Sequence, residues 1–232
     1  GEVARLANEP KRLGGLVPAL LMSHLACADV AGHPMNGEQL ARFRSLRQSL
    51  PAMAASLAAS SGVFLGPDYA FDLVRPGAAL YGINPTPGEA NPMAQVVRLE
   101  ARIVALREID APLSVGYGAA YRASGKTRIA TVPIGYADGY PRALGNQASG
   151  ILANGDAASP PLPVVGRVSM DLVTLDVSAV PPEQAGIGTT VTLIGAERTL
   201  DALAAAAGTI GYELLVRLGQ RIPRVYPAEG AA

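Results

Sequence analysis

A proline-rich segment, residues 84–95, separates two different hydrophobic patterns in this sequence. Before it, short apolar runs alternate with an amphipathic stretch, which is typical of a strand–helix–strand arrangement. After it, short alternating runs are separated by Gly, Pro, Asn and Asp, which is typical of an all-β domain. We therefore expect an α/β domain at residues 1–92 and a mostly β domain at residues 93–232.

The first part predicts a small number of elements. Leu20–Met22 is apolar and ends at the polar pair Ser23-His24, as a buried parallel strand does where it reaches the surface. Asn36 is the expected N-cap of the following helix, with Gln39 completing a capping box. Two further strands are expected at Ala52–Leu57 and Phe71–Val74. The order strand, helix, strand, loop, strand favours a βα barrel or a doubly wound sheet.

The second part predicts short strands and one helix. The helix is expected at Leu200–Ala207, with Thr199 or Asp201 near its N-terminus. The expected strands are Val96–Glu108, Arg128–Pro133, Gly150–Leu152, Pro163–Val168, Leu172–Val177 and Thr190–Ile194.

Composition excludes several classes of function. The chain of 232 residues has 19 basic and 19 acidic residues, and this balance argues against a nucleic-acid binder. One cysteine and two histidines make a metal site unexpected. We find no stretch of about 18 apolar residues and no secretory signal, so we expect a cytoplasmic protein without a membrane span. The opening residues read as the end of a helix without a starting Met, so we expect a chain cut within its fold.

Several residues of the first part are candidates for chemistry. His24 lies at a predicted strand end, where barrel enzymes place their active sites, although a core histidine would fit the same position. Arg75 follows an apolar run and requires a partner for its charge, which a structural salt bridge would also supply. The small-residue loops 60–62 and 75–78 could cradle a phosphate, but ordinary tight turns have the same composition.

Glycine-flanked tyrosines mark the second part of the chain. Tyr117 stands between two glycines, Tyr136 and Tyr140 lie in a Gly-Tyr-Ala-Asp-Gly-Tyr sequence, and Tyr212 follows Gly211. A tyrosine that acts as a base needs a lowered pKa and therefore a nearby cation. The alternative is a half-buried side chain that fills a turn, which becomes less attractive when the pattern occurs three times.

Seven motifs, in order, carry a resemblance to a known family. They are Ser23–Asp29, Ser56–Gly62, Asp72–Gly77 with Leu80–Gly82, Val115–Tyr121, Ile134–Arg142, Val165–Asp171, and Gly208–Glu213 with Arg221–Arg224. With these motifs the chain resembles the C-terminal part of the alanine racemases, pyridoxal 5′-phosphate (PLP) enzymes of fold type III. The resemblance implies the later part of a (β/α)8 TIM barrel followed by a mostly β C-terminal domain.

The resemblance also implies roles for individual residues. Tyr117 would be the catalytic acid or base on one face of the substrate Cα, with His24 and Arg75 behind it. Arg75 would also contact the pyridine nitrogen of PLP. The phosphate would be held by Ser60, by the backbone of Gly77 and Ala78, and by Tyr212. Met170 would offer its backbone to the substrate carboxylate.

The family's cofactor-attaching lysine has no counterpart in this sequence, because neither Lys11 nor Lys126 lies in a matching motif. Two neighbours of site positions also depart from the usual pattern, Ala59 and Gly116. The missing lysine implies an N-terminal complement of the same enzyme. The resemblance implies a homodimer with shared sites and a small amino acid as substrate, with L- and D-alanine interconverted. Three alternatives stay open: a racemase of serine or of several amino acids, an inactive fragment or split subunit, and a PLP-binding barrel protein without racemase activity.

Overall fold

The computed structural model describes residues 2–153 and 159–227. The chain divides into two compact units, Gly1–Ala94 and Gln95–Ala232. This division falls within the proline-rich segment that separates the two hydrophobic patterns.

The first unit is built around one parallel pair of strands. Its elements are α1 (Glu2–Asn8), a 3₁₀ turn (Pro10–Leu13), β1 (Leu20–Met22), α2 (Pro34–Ser49), β2 (Ala54–Ser56), α3 (Ser60–Val63) and 3₁₀ turns at Pro67–Tyr69 and Ala78–Tyr81. β1 and β2 run parallel with Leu20 opposite Ala54. The connecting helix α2 packs Leu40 and Phe43 into a core with Leu57. The predicted strand–helix–strand unit is therefore present.

The start of α2 differs from the prediction. The helix begins at Pro34, and the N-cap is His33, whose Nδ1 accepts a hydrogen bond from the Met35 N–H at 3.1 Å. Proline has no N–H to satisfy at the first helical position, so Pro34 starts the helix two residues before Asn36. Asn36 is buried and donates to the Val30 carbonyl instead. The predicted capping box of Asn36 and Gln39 is wrong.

The predicted strand Phe71–Val74 is also wrong. Phe71 has a positive φ of 52°, which a regular strand does not allow. The Asp72 carboxylate takes the N–H of Ala55 at 2.8 Å, in the position that a neighbouring strand would occupy. The Phe71 ring packs edge-to-face on Phe43 at 4.9 Å between centroids. Arg75, one residue after the predicted range, forms an isolated parallel β-bridge with Ala59.

The second unit consists of small antiparallel sheets and two helices. Its strands are β3 (Leu99–Arg102), β4 (Ala105–Ile109), β5 (Ser114–Val115), β6 (Tyr121–Arg122), β7 (Thr127–Val132), β8 (Ser149–Leu152), β9 (Leu162–Pro163), β10 (Val173–Asp176) and β11 (Thr190–Ile194), and its helices are α4 (Leu200–Ala207) and α5 (Gly211–Arg217). The sheet orders are β10-β7-β4, β3-β11-β8-β9 and β5-β6. Thr199 caps α4, as predicted, by accepting the Ala202 N–H. Helix α5 was not predicted.

One predicted strand of this unit is split between two sheets. The alternating run 96–108 forms β3 in the four-stranded sheet and β4 in the three-stranded sheet. The Ile103 N–H donates to Thr189 and the next N–H, of Val104, donates to Thr131 on a different strand. The pattern of alternation continues through this crossing, so it cannot reveal the change of partner. Similarly, the predicted strand Pro163–Val168 pairs only at Leu162–Pro163, with a bridge from Val164 to Leu175.

Tyr140 is buried in the second unit with an exposed fraction of 1 %, and its hydroxyl has no hydrogen-bond partner among the described residues. We expect Tyr140→Phe to raise the free energy of unfolding by about 1 kcal/mol, since it removes an unpaired polar group and keeps the ring. Urea unfolding measures this, and Tyr226→Phe, on a side chain that is 87 % exposed, is the control. A loss of stability in Tyr140→Phe would reveal a partner for the hydroxyl.

Tyr140→Phe should also change how the stability depends on pH. Burial raises the pKa of Tyr140 above its ordinary value near 10. Above about pH 10 the unfolded state releases the Tyr140 hydroxyl proton, whereas the native state keeps it. The contribution of Tyr140 to the free energy of unfolding is therefore complete below about pH 10 and is lost as the pH rises further. The stability of the parent should fall more steeply above about pH 10 than that of Tyr140→Phe.

Candidate functional site

Arg75 joins the ends of β1 and β2 in the first unit. Its Nη2 donates to the Ser23 carbonyl at 2.8 Å, and its Nη1 donates to the Ser56 hydroxyl. The backbone N–H of Arg75 donates to Ala58 at 2.9 Å. Ser56 is fully buried, and its hydroxyl donates in turn to the Leu73 carbonyl at 2.7 Å. The guanidinium is thus fixed in one orientation at the carboxyl ends of the two strands.

His24 lies against this guanidinium. The His24 Nδ1 is 3.4 Å from Arg75 Nη2. A guanidinium has only donors, so a hydrogen bond in this contact would use Nδ1 as the acceptor. The structure therefore brings together the two predicted residues His24 and Arg75. Ser56 was missed at the sequence level, although a polar residue inside an apolar strand was a signal for it.

Ser60 and the segment after Arg75 form a second cluster in this unit. The Ser60 Oγ accepts the Gly77 N–H at 3.0 Å and the Ala79 N–H at 3.2 Å, and Ser60 is buried. With its lone pairs engaged, the hydroxyl has its hydrogen left to donate. A Cβ at Gly77 would meet only open space, so the backbone there is accessible. Ala78 begins a 3₁₀ turn, whose first N–H groups lack helical partners. Because the N–H groups of Gly77 and Ala79 already donate to Ser60, the groups here that suit a small anion are the Ser60 hydroxyl hydrogen and the Ala78 N–H.

Tyr117 lies in an exposed turn of the second unit. The turn Tyr117–Ala119 is flanked and interrupted by glycines with positive φ, 76° at Gly116 and 68° at Gly118. The Tyr117 side chain is 71 % exposed. The Arg167 guanidinium packs on the turn, because a Cβ at Gly118 would lie 3.3 Å from Arg167 Cζ. A cation therefore lies beside the turn that carries the tyrosine.

Met170 lies in a turn that packs tightly on Gly135. A Cβ at Gly135 would be 2.3 Å from the Met170 carbonyl oxygen, so only glycine fits. The Ala137 N–H donates to that carbonyl at 2.9 Å, and the Tyr136 N–H donates to Ser169 at 3.0 Å. Within residues 2–153 and 159–227 the Met170 N–H has no acceptor. The turn thus offers a backbone donor next to an exposed side chain.

Asp138 and Arg221 hold the Gly135 loop in place. The Asp138 carboxylate is 2 % exposed and accepts two Arg221 hydrogen bonds at 2.6 Å, together with the Gly135 N–H at 2.9 Å. The bond from Arg221 is the main cause that holds the pKa of Asp138 below its ordinary value. Arg221 also lies 3.4 Å from Asp171, beside Met170. These two residues belong to recognised motifs, but sequence reasoning assigned them no role.

The predicted site residues are divided between the two units. His24, Ser60, Arg75, Gly77 and Ala78 lie in the first unit.

The remaining three, Tyr117, Met170 and Tyr212, lie in the second unit. Tyr212 is on α5 and is 45 % exposed. Its neighbour Glu213 accepts hydrogen bonds from Thr209 and Arg217, and the bond from Thr209 is the main cause that lowers the pKa of Glu213.

The described residues contain neither a candidate metal cluster nor a candidate membrane span. No cluster of three or more His, Cys, Asp or Glu side chains suited to a metal ion occurs among them. Likewise, none of the described helices has the length and apolar character needed to cross a membrane.

Two family models match this sequence. "Alanine racemase, N-terminal domain" matches residues 1–85, and "Alanine racemase, C-terminal domain" matches residues 96–226. The chain belongs to the alanine racemase family. This confirms the resemblance that the seven motifs carry.

Relatives in this family are similar over almost the whole chain. The alanine racemase of Rhodospirillum rubrum is 52% identical over 225 residues, which is 97% of this chain and 59% of that protein. The catabolic alanine racemase of Mesorhizobium japonicum is 49% identical over 97% of this chain and 57% of its own length. The chain therefore spans less than two thirds of the length of these alanine racemases.

Solved structures of alanine racemases share this fold. The alanine racemase of Bartonella henselae, with covalently bound pyridoxal phosphate, matches with a TM-score of 0.87 at 37% identity, over 97% of this chain and 61% of that one. The biosynthetic alanine racemase of Pseudomonas aeruginosa matches with a TM-score of 0.83, also at 37% identity, over 98% of this chain and 61% of its own. The fold is that of the alanine racemases, and the part of the chain that the structure describes contains no closed barrel.

Proposed function

We propose that this chain is the C-terminal part of an enzyme that interconverts L- and D-alanine with PLP. Family membership supports the reaction. The observation that carries the proposal is the Arg75 network, in which a fixed guanidinium lies 3.4 Å from His24 at the ends of two parallel strands. Carboxyl ends of parallel strands are where barrel enzymes place their reacting groups.

The two units take different parts of this enzyme. The β1–α2–β2 arrangement of the first unit is the repeating element of a (β/α)8 barrel, and we assign to it the later strands of one, approximately residues 1–92. The second unit, approximately residues 93–232, is the β domain that carries Tyr117 and Met170.

The residues of the first unit fit PLP. The Ser60 hydroxyl and the backbone of Ala78 would hold its phosphate beside Gly77, whose own N–H already donates to Ser60. Arg75 would donate to the pyridine nitrogen, and because arginine keeps its proton at neutral pH it would give no proton to that nitrogen. Bound PLP supplies the electron sink that stabilises negative charge at the substrate Cα, and an unprotonated ring makes that sink weaker. A weaker sink favours racemisation over side reactions.

The second unit supplies the proton transfer. Tyr117 moves a proton to or from one face of the substrate Cα, while a lysine serves the other face. We assign His24 and Arg75 to the network behind this tyrosine in the shared site. The N–H of Met170 orients the substrate carboxylate. We propose that two copies of the enzyme share each site, so that Tyr117 and Met170 act on the cofactor of the other subunit.

We place the cofactor-attaching lysine outside this chain, in an N-terminal complement. Lys11 lies in a 3₁₀ turn before β1, and Lys126 lies in the β domain before β7. Both side chains are exposed. Neither follows the carboxyl end of a strand of the first unit, where we place the residues that hold PLP.

A comparison of two preparations tests this proposal. One is the chain alone, and the other is the chain preceded by its N-terminal complement, each incubated with PLP and L-alanine. D-alanine is expected only from the second, with alanine racemised faster than serine or arginine. Borohydride reduction and peptide mapping would then locate the cofactor on a lysine outside this chain. PLP attached to Lys11 or Lys126 would contradict the assignment of the lysine, and equal rates with serine would contradict the substrate.

A further inference from the structure

Gln39 reaches from α2 to the loop that carries His24. Its Oε1 accepts the Ala26 N–H at 2.9 Å, and its Nε2 donates to the His24 carbonyl at 3.2 Å. The two contacts determine the orientation of the amide, because an N–H needs the oxygen and a carbonyl needs the nitrogen. Among the described residues, neither backbone group has another hydrogen-bond partner.

We propose that Gln39 is a positioning residue for the reaction, which holds the His24 ring against Arg75. The proposal rests on the proposed function only for its kinetic consequence. The two peptide groups that Gln39 binds lie on both sides of Leu25, whose side chain is buried in the core. Segment 24–26 is therefore held by the buried Leu25 side chain and by the hydrogen bonds of Gln39 to the peptide groups on both sides of Leu25.

Different residues hold the two partners of the His24–Arg75 contact in place. Arg75 is fixed by Ser23, Ser56 and Ala58, independently of Gln39. β1 ends at Met22. Among the described residues, Gln39 is the only hydrogen-bond partner of the His24 backbone, and it donates to the His24 carbonyl. Loss of Gln39 would therefore leave the guanidinium in place, while the peptide groups on both sides of Leu25 lose their partner and the imidazole can shift.

Two variants of Gln39 separate its two hydrogen bonds, and a third variant, at Gln48, serves as control. Gln39→Met has a similar length and makes neither bond. Gln39→Glu keeps an acceptor for the Ala26 N–H but places a carboxylate against the His24 carbonyl. Gln48→Met changes the same residue type at an exposed position of the same helix, where the proposal predicts no effect on catalysis.

The first two measurements are independent of activity and use the complete enzyme. Backbone hydrogen exchange at Ala26 is expected to become about tenfold faster in Gln39→Met, because a native hydrogen bond that protects this amide is lost. Ring nitrogen NMR signals of His24, assigned as those that disappear in His24→Asn, are expected to move in both Gln39 variants. Neither quantity should change in Gln48→Met.

The third measurement is kinetic. With the ring displaced, we expect kcat for alanine racemisation to fall about 10- to 100-fold with KM changed less than about threefold, since a misplacement near 1 Å has effects of this size. Deuterium exchange into the enantiomer that Tyr117 serves should fall most.

Three results would overturn the inference. These are unchanged His24 ring signals in Gln39→Met, an Ala26 exchange rate equal to that of Gln48→Met, or faster exchange with an unchanged kcat, which would make Gln39 merely structural. If the parent enzyme does not racemise alanine, the proposed function fails, whereas ring signals that move only in the Gln39 variants would still support the positioning of His24.

Discussion

Tyr117→Phe in the complete enzyme is expected to lower the rate of alanine racemisation by about 10²–10⁴-fold, the usual effect of removing a general acid or base. The turn around Tyr117 is exposed and its geometry depends on glycines at 116 and 118, so loss of the hydroxyl should leave the fold intact. Tyr226→Phe, on another exposed tyrosine, is the matched control and should racemise at the parental rate.

The direction of the defect can be read only from isotope exchange. L- and D-alanine have equal free energies in water, so kcat/KM must remain equal in the two directions for every variant. Deuterium incorporation from D₂O does not have this restriction. In Tyr117→Phe, exchange of the Cα proton should survive for the enantiomer served by the lysine and be almost lost for the other. Equal residual exchange for both enantiomers, or racemisation within a few-fold of the parent, would remove Tyr117 from its role.

Gly135→Ala is expected to lower the free energy of unfolding of the second unit by about 3 kcal/mol or more, among the larger effects of a single substitution. The added Cβ would lie 2.3 Å from the Met170 carbonyl oxygen and 2.5 Å from the Asp171 nitrogen, and both are backbone atoms that cannot rotate away. The control is Gly125→Ala, where a Cβ meets nothing within 4 Å and no positive φ is required.

Urea unfolding of the two variants measures the difference. Because the clash is with the turn of Met170, any Gly135→Ala protein that folds should also show a raised KM for alanine. A Gly135→Ala variant within about 1 kcal/mol of Gly125→Ala would mean that the two turns can separate without cost, and the close packing would lose its importance.

The family resemblance, and not the strand pattern, predicted that His24 and Arg75 lie in one network. The strand pattern placed His24 correctly after β1, but the strand expected before Arg75 is absent, since Phe71 has a positive φ. The family motifs added roles to Tyr117 and Met170 that the residue pattern could not provide. The contacts that fix these residues were harder to predict, because Gln39, Ser56 and Arg221 act through hydrogen bonds across 13 to 83 positions of the chain.

Local competition explains the incorrect predictions of structure. At Pro34, the preference of proline for the first helical position prevailed over the capping tendency of Asn36. At Asp72, a side-chain carboxylate took the backbone N–H that a strand would have used. Both outcomes depend on which of two acceptable partners is nearer in space, and this information is absent from hydrophobic periodicity.

The crossing of one strand between two sheets has a consequence for how the β domain unfolds. Ile103 and Val104 are consecutive residues, but their N–H groups pair with different sheets. Neither sheet can separate from this strand without pulling on the peptide bond that the other holds. The two sheets are therefore mechanically linked, and a local opening of one is transmitted to the other. In the second unit, the surfaces that carry Tyr117 and Met170 should accordingly be lost together in one cooperative step.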